Sequence, residues 1–171
     1  MKPEIFIWLF PIVFMIHEFE EIIFIRWWLG KYKEPILIKF PKLGKRIIGQ
    51  FDSFSTEAFS LIVAEEFLIA SVIVIISALK NYYDLYFGLI IAYSVHLLIH
   101  LFQTLLVGRY TPAIVTTILS GIFCVYVINN FINSDLLSFS RSFIYSTIMI
   151  FVIISNLNLM HRVVKKIKIL N

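Results

Sequence analysis

The chain has 171 residues, 60% of them hydrophobic and 15% charged, where a soluble domain of ordinary make-up has about 45–50% and about 25%. With a mean hydropathy of +0.89, that composition excludes a soluble enzyme and points to one integral membrane domain of a few spans over residues 1–171. The net charge of +4 does not point to nucleic acid. The basic residues sit between apolar stretches, where they act as topology signals and contacts for membrane lipids.

About 20 mostly apolar residues cross the hydrocarbon core, and five segments qualify. The first runs from Ile5 to Leu29. Lys2 and the apolar run after it look like a signal peptide, but no small-x-small cleavage site follows and four ionisable groups interrupt the run, so it reads as a retained span. Gly30, Pro35, Pro41, Gly44 and Gly49 punctuate the next loop. Within it, "PKLGKRIIGQF" either lies flat on the inner leaflet or stands as a solvated loop.

The second span, Ser55 to Leu79, is followed by the short polar turn "KNYYD". The third runs from Leu85 to Val107. Thr111-Pro112 then offers a capping hydroxyl and a first-turn proline for the fourth span, Pro112 to Phe131. "NNFINSDLLSFSR" separates it from the fifth, Ser142 to Met160. The last two spans carry Thr116, Thr117, Ser120, Ser155, Asn156 and Asn158, which read as helix-packing contacts. The single cysteine, Cys124, lies in an apolar run and reads as a buried, inert thiol.

Orientation follows from the lysines and arginines. Lys31, Lys33, Lys39, Lys42, Lys45, Arg46, Arg109, Arg162, Lys165, Lys166 and Lys168 fall on one side, and Lys2, Lys80 and Arg141 on the other. The expected fold is therefore an all-α integral membrane bundle of about five transmembrane helices, N-terminus out and C-terminus in. The expected location is a cell membrane of the bacterial cytoplasmic kind.

Three of these spans carry ionisable groups in mid-membrane: "HEFEE" at 17–21, Glu65-Glu66 in "VAEEF", and His96 and His100 in "VHLLIHLFQ". At a rise of about 1.5 Å per residue, all lie roughly 10–18 Å from the cytoplasmic end of their span. On a 3.6-residue turn Glu20 and Glu21 flank His17, while Glu18 points further round. His96, His100 and Gln103 share a stripe. A charge at this depth costs about 2.5–3.5 kcal/mol on insertion scales, and crowded carboxyls repel one another. Protons or bound cations relieve both. Imidazole together with carboxylate suits iron, zinc or manganese, whereas magnesium and calcium sites seldom use histidine.

The HxxEE pattern of His17, Glu20 and Glu21, with "AEEF" at 64–67 and "HLFQTLLVGRYTP" from His100 to Pro112, resembles the HXXEE family of small membrane proteins. The similarity covers about two thirds of the chain. It implies His17, Glu20, Glu21 and His100 as site residues, with Glu65 or Glu66 from the second block, and it implies no reaction and nothing for His96. Ala113 departs from the pattern, which has glycine after the proline. Other families fit worse. Ala70 stands where a CAAX-type protease has arginine, four histidines are too few for a desaturase, and His17-Glu18 lacks the second histidine of a zinc protease.

The resulting expectation is a metal-dependent membrane enzyme that hydrolyses or oxidises a lipidic or apolar small-molecule substrate. His17, Glu20, Glu21, Glu65 and His100 would hold one or two divalent ions, with Glu66 as general base. The alternative is a proton or divalent-metal translocator using the same cluster. A non-catalytic scaffold leaves the shared depth without a reason.

Overall fold

The computed structural model describes residues 3–52 and 55–166, which form six helices: α1 (Pro3–Lys39), α2 (Pro41–Asp52), α3 (Thr56–Lys80), α4 (Tyr83–Val107), α5 (Ile114–Ile132) and α6 (Phe139–Lys166). No strand occurs among the described residues. Lys2 and Lys168 of the charge count lie outside them. Four helices, Thr56–Lys80, Tyr83–Val107, Ile114–Ile132 and the Phe139–Met160 part of α6, are long and apolar enough to span a bilayer. The 37-residue α1 is also long enough, but its acids set it apart. Any 18-residue stretch of it carries at least three charged side chains. The protein is thus an all-α, multi-pass membrane bundle.

Two boundaries differ from the sequence pattern, each for a local reason. α1 does not stop at Gly30 but runs through Pro35 to Lys39. Tertiary contacts hold this extension in place. Lys39 Nζ donates to the Leu106 carbonyl at 3.3 Å and Ile36 packs under α2, and just before Gly30 the Trp28 indole donates to the Tyr110 carbonyl at 2.7 Å. "PKLGKRIIGQF" is helical, and Gly44 faces the Ile36 backbone so closely that an added Cβ would stand 3.1 Å from its carbonyl oxygen.

The second change is at α5, which begins at Ile114 rather than Pro112. Ala113 takes the N-cap position at φ 69°, with no side-chain cap of its own. The Thr111 hydroxyl is engaged by Thr104 instead.

The ends of α3 and α4 lie within two residues of the sequence signals, while α6 runs past the expected Ser142 and Met160, from Phe139 to Lys166. Ser55 caps α3 by accepting from Ala58 N at 3.1 Å. Asn81, left-handed at φ 54°, closes α3 through its N–H to the Ser77 carbonyl.

The core at the α1 N-terminal end holds Phe10, Tyr86, Tyr93, Val74, Val127 and Phe131 together with the buried, free Cys124. Hydrocarbon offers a buried hydroxyl no water. Tyr86 accordingly donates to the Phe6 carbonyl at 2.8 Å. α6 packs closely along α4 and meets α3 only lightly. Gly88 permits that approach, since a Cβ there would stand 2.7 Å from the Tyr145 carbonyl carbon.

Candidate metal centre

The centre forms where side chains of α1 and α4 meet. His96 and His100 are one turn apart on α4, so their rings point the same way. His17 on α1 is completely buried and faces both. His96 Nε2 lies 3.3 Å from His17 Nε2 and 3.1 Å from His100 Nε2. The ligand atoms of all three residues fall within 4.8 Å of one another. Metal–nitrogen bonds of about 2.0–2.1 Å in tetrahedral geometry place neighbouring nitrogens roughly 3.3 Å apart, and the two short separations match that edge.

Hydrogen accounting shows that the three nitrogens cannot all be satisfied by one another. The Thr116 hydroxyl has one hydrogen, and its shortest contact is 2.6 Å to Glu20 Oε2. Donating there, Thr116 Oγ1 accepts from His17 Nδ1 at 3.2 Å. That tautomer leaves the His17 Nε2 lone pair facing the cluster. A hydrogen on His96 Nε2 can serve one neighbour and leaves the other lone pair opposed. A shared cation satisfies all three.

Carboxyl groups flank the imidazoles on two sides. Glu18 Oε1 is 3.8 Å from His96 Nε2, and Glu21 Oε2 is 3.8 Å from His100 Nε2. Glu18 is 2% exposed and Glu21 7%. The Oε1 atoms of Glu18 and Glu66 and the Tyr93 hydroxyl are buried without a hydrogen-bond partner. Unanswered buried acceptors of this kind carry a cost of about 1–3 kcal/mol each, more when charged.

The remaining sequence candidates are placed differently. Glu20 does not reach the imidazole nitrogens in the centre. Its carboxyl accepts from Tyr110 OH at 2.8 Å, Val115 N at 3.3 Å, Thr116 N at 2.7 Å and the Thr116 hydroxyl. It therefore caps α5 from another helix, in the role that Ala113 lacks the side chain to fill. Burial and then the hydrogen bond to Glu20 hold the Tyr110 hydroxyl above its ordinary pKa, which keeps it a donor. Glu65 turns to α6, where Asn156 Nδ2 donates to its Oε2 at 2.7 Å.

Two residues stand closer to the centre than their sequence reading. His96 is the middle nitrogen of the three, and its i, i+4 spacing to His100 is the sequence signal for it. Glu18 comes in because α1 is packed by α3 on one side and by α5 on another, so acids on opposite faces of α1 are both buried. Thr116, read as a packing contact, instead links Glu20 to His17.

Two crevices approach the centre from opposite ends of the bundle. One runs toward the α1 N-terminal end between α3 and α6 and reaches Glu18, Glu66 and His96. The other lies under α2 and reaches Glu21, His100 and Gln103. Apart from those ends, both are lined almost entirely by apolar side chains.

A family model described as "Protein of unknown function with HXXEE motif" matches residues 8–128. That segment contains every residue of the centre described above. No curated protein and no solved structure matches the chain.

Proposed function

We propose, for a chain that belongs to the HXXEE family and takes no activity from that membership, that the centre makes it a metal-dependent membrane enzyme. The substrate is lipidic or apolar and the reaction is hydrolysis or oxidation. The observation that carries this reading is the convergence of three imidazole nitrogens within 4.8 Å inside a membrane bundle. His17, His96 and His100 would hold one ion of zinc, iron or manganese, the metals that suit imidazole beside carboxylate. Such an ion supplies Lewis-acid polarisation of an oxygen or, for iron and manganese, electron transfer.

The chain's own residues do the rest. Thr116, held by Glu20, fixes the His17 tautomer, as the partners of metal-bound histidines do elsewhere. Glu18 and Glu21 balance the positive charge. Glu66, beside Glu18 in the crevice wall, accepts a proton as general base. The apolar walls exclude bulk water and strengthen every electrostatic interaction at the crevice ends. By the positive-inside rule, the α2 end faces the cytoplasm of a bacterial cell and membrane lipids surround the bundle.

Elemental analysis of the protein purified without chelators tests this. The expected result is one zinc, iron or manganese per chain, retained in Glu65→Gln and lost in His96→Ala. A metal-free wild-type protein overturns the reading.

Translocation of protons or a divalent metal is the second reading, favoured by the approach of two crevices from opposite ends. It predicts a proton or metal flux in proteoliposomes that His96→Ala abolishes. The apolar lining of both crevices weighs against a hydrated path.

A further inference from the structure

We infer that the crevice between α3 and α6 binds a long-chain primary alcohol, with its chain along the α1 N-terminal half of the bundle and its hydroxyl at Glu18, Glu66 and Tyr93. The ligand class named here, the substrate of an oxidation or the alcohol released by an ester hydrolysis, belongs to the metal site proposed above and rests on that reading. Three observations carry it.

The first is the shape of the walls. Phe14, Ile69, Ala70, Leu89, Val152 and Ile153 line the crevice. An apolar chain can occupy such walls at no polar cost.

The second is the closed end, where the Oε1 atoms of Glu18 and Glu66 and the Tyr93 hydroxyl are buried without hydrogen-bond partners. Glu18 and Tyr93 are each only 2% exposed. Two acceptors and one hydroxyl call for a ligand group that both donates and accepts. A primary alcohol does so, donating to a carboxyl oxygen and accepting from Tyr93. A methyl ether has no hydrogen to donate, and a fatty-acid carboxylate would bring a third carboxyl group against two others.

The third is access. α6 lies along α4 but touches α3 lightly, so the crevice runs along a helix boundary that lipid can reach. Met149, Val152 and Asn156, from successive turns of α6, form part of its wall.

Native mass spectrometry of the protein released from micelles reads metal and lipid as separate mass increments, so the two readings fail separately. Titration with myristyl alcohol should give a one-to-one adduct, and its methyl ether and myristic acid should bind about tenfold more weakly or worse, as expected on losing a hydrogen bond to a carboxyl group. Val152→Trp, which fills the crevice from its half-exposed wall, should lose the alcohol and keep the metal. Equal binding of alcohol and ether by the wild type, or unchanged alcohol binding in Val152→Trp, overturns the inference even where the metal increment is present. Alcohol binding with no metal increment upholds the crevice and overturns the metal reading instead.

Discussion

Two buried polar clusters lie in this bundle, and they are built on opposite rules. At the end where α3 turns into α4, Asp84 is 6% exposed and every contact is answered. Its Oδ1 accepts from Ser138 N at 2.8 Å and Ser142 Oγ at 2.7 Å, and its Oδ2 meets Arg141 Nε at 3.2 Å. The histidine centre also has neighbours on every side, but they are mostly acceptors facing acceptors. A network whose hydrogen bonds all close holds helices together. One that leaves at least one of its short contacts without a donor can take up a cation that is not part of the chain.

The largest effect that would break this contrast is at His96. His96→Ala removes the nitrogen shared by both short contacts and should leave metal undetectable by elemental analysis, while Glu65→Gln keeps it in full. Loss of metal in both variants would return Glu65 to the ligand set and show the Asn156 contact to be secondary.

Thr116→Val sharpens the contrast one layer out. It leaves the three Nε2 atoms in place but removes the acceptor on His17 Nδ1, along with one donor to Glu20. Loss of such a partner typically lowers metal affinity roughly 10–100-fold, measurable by competition with a chromophoric chelator. Wild-type affinity would show that Glu20 and Thr116 serve only the start of α5.

The Asp84 cluster gives the opposite profile. Asp84→Ala should lower stability by roughly 1–2 kcal/mol, chiefly as the loss of a cap on α6, since Arg141 is 67% exposed on its side chain and such ion pairs add little. Thermal unfolding in detergent reads the stability, and metal content should not change. A loss of metal would mean that the two clusters are coupled through α4.

What the sequence made legible follows the same division. Hydropathy and the polar turn at Asn81 marked the spans, because lipid imposes length and apolarity on each helix separately, whereas Gly30 and Pro35 did not end α1. The layer of histidines and glutamates was visible for the same reason: depth is set by counting along one chain. Which acid faces which partner depends on how α1 is packed on several sides, and periodicity within one helix does not contain that. Glu20 and Glu65 therefore read as ligands from their neighbours in sequence, while Thr116 and Asn156, from distant helices, are the groups that occupy them. His96 was within reach of a stricter reading, since a second histidine one turn before His100 has little else to do on a buried face.

Ala113 carries the smallest expected effect and joins the two levels of description. Its φ of 69° is the left-handed region in which a Cβ costs roughly 1–2 kcal/mol. Ala113→Gly removes that strain. It also removes a methyl that is fully buried, worth about 0.8 kcal/mol, and adds about 0.5–1 kcal/mol of chain entropy to be lost on folding. These contributions nearly cancel, so thermal unfolding should shift by no more than about 1 kcal/mol in either direction. Metal affinity should hold, because Val115 N and Thr116 N keep their positions against Glu20. A large loss of affinity with stability unchanged would show that the Ala113 methyl, rather than the left-handed turn, seats the start of α5 against the centre.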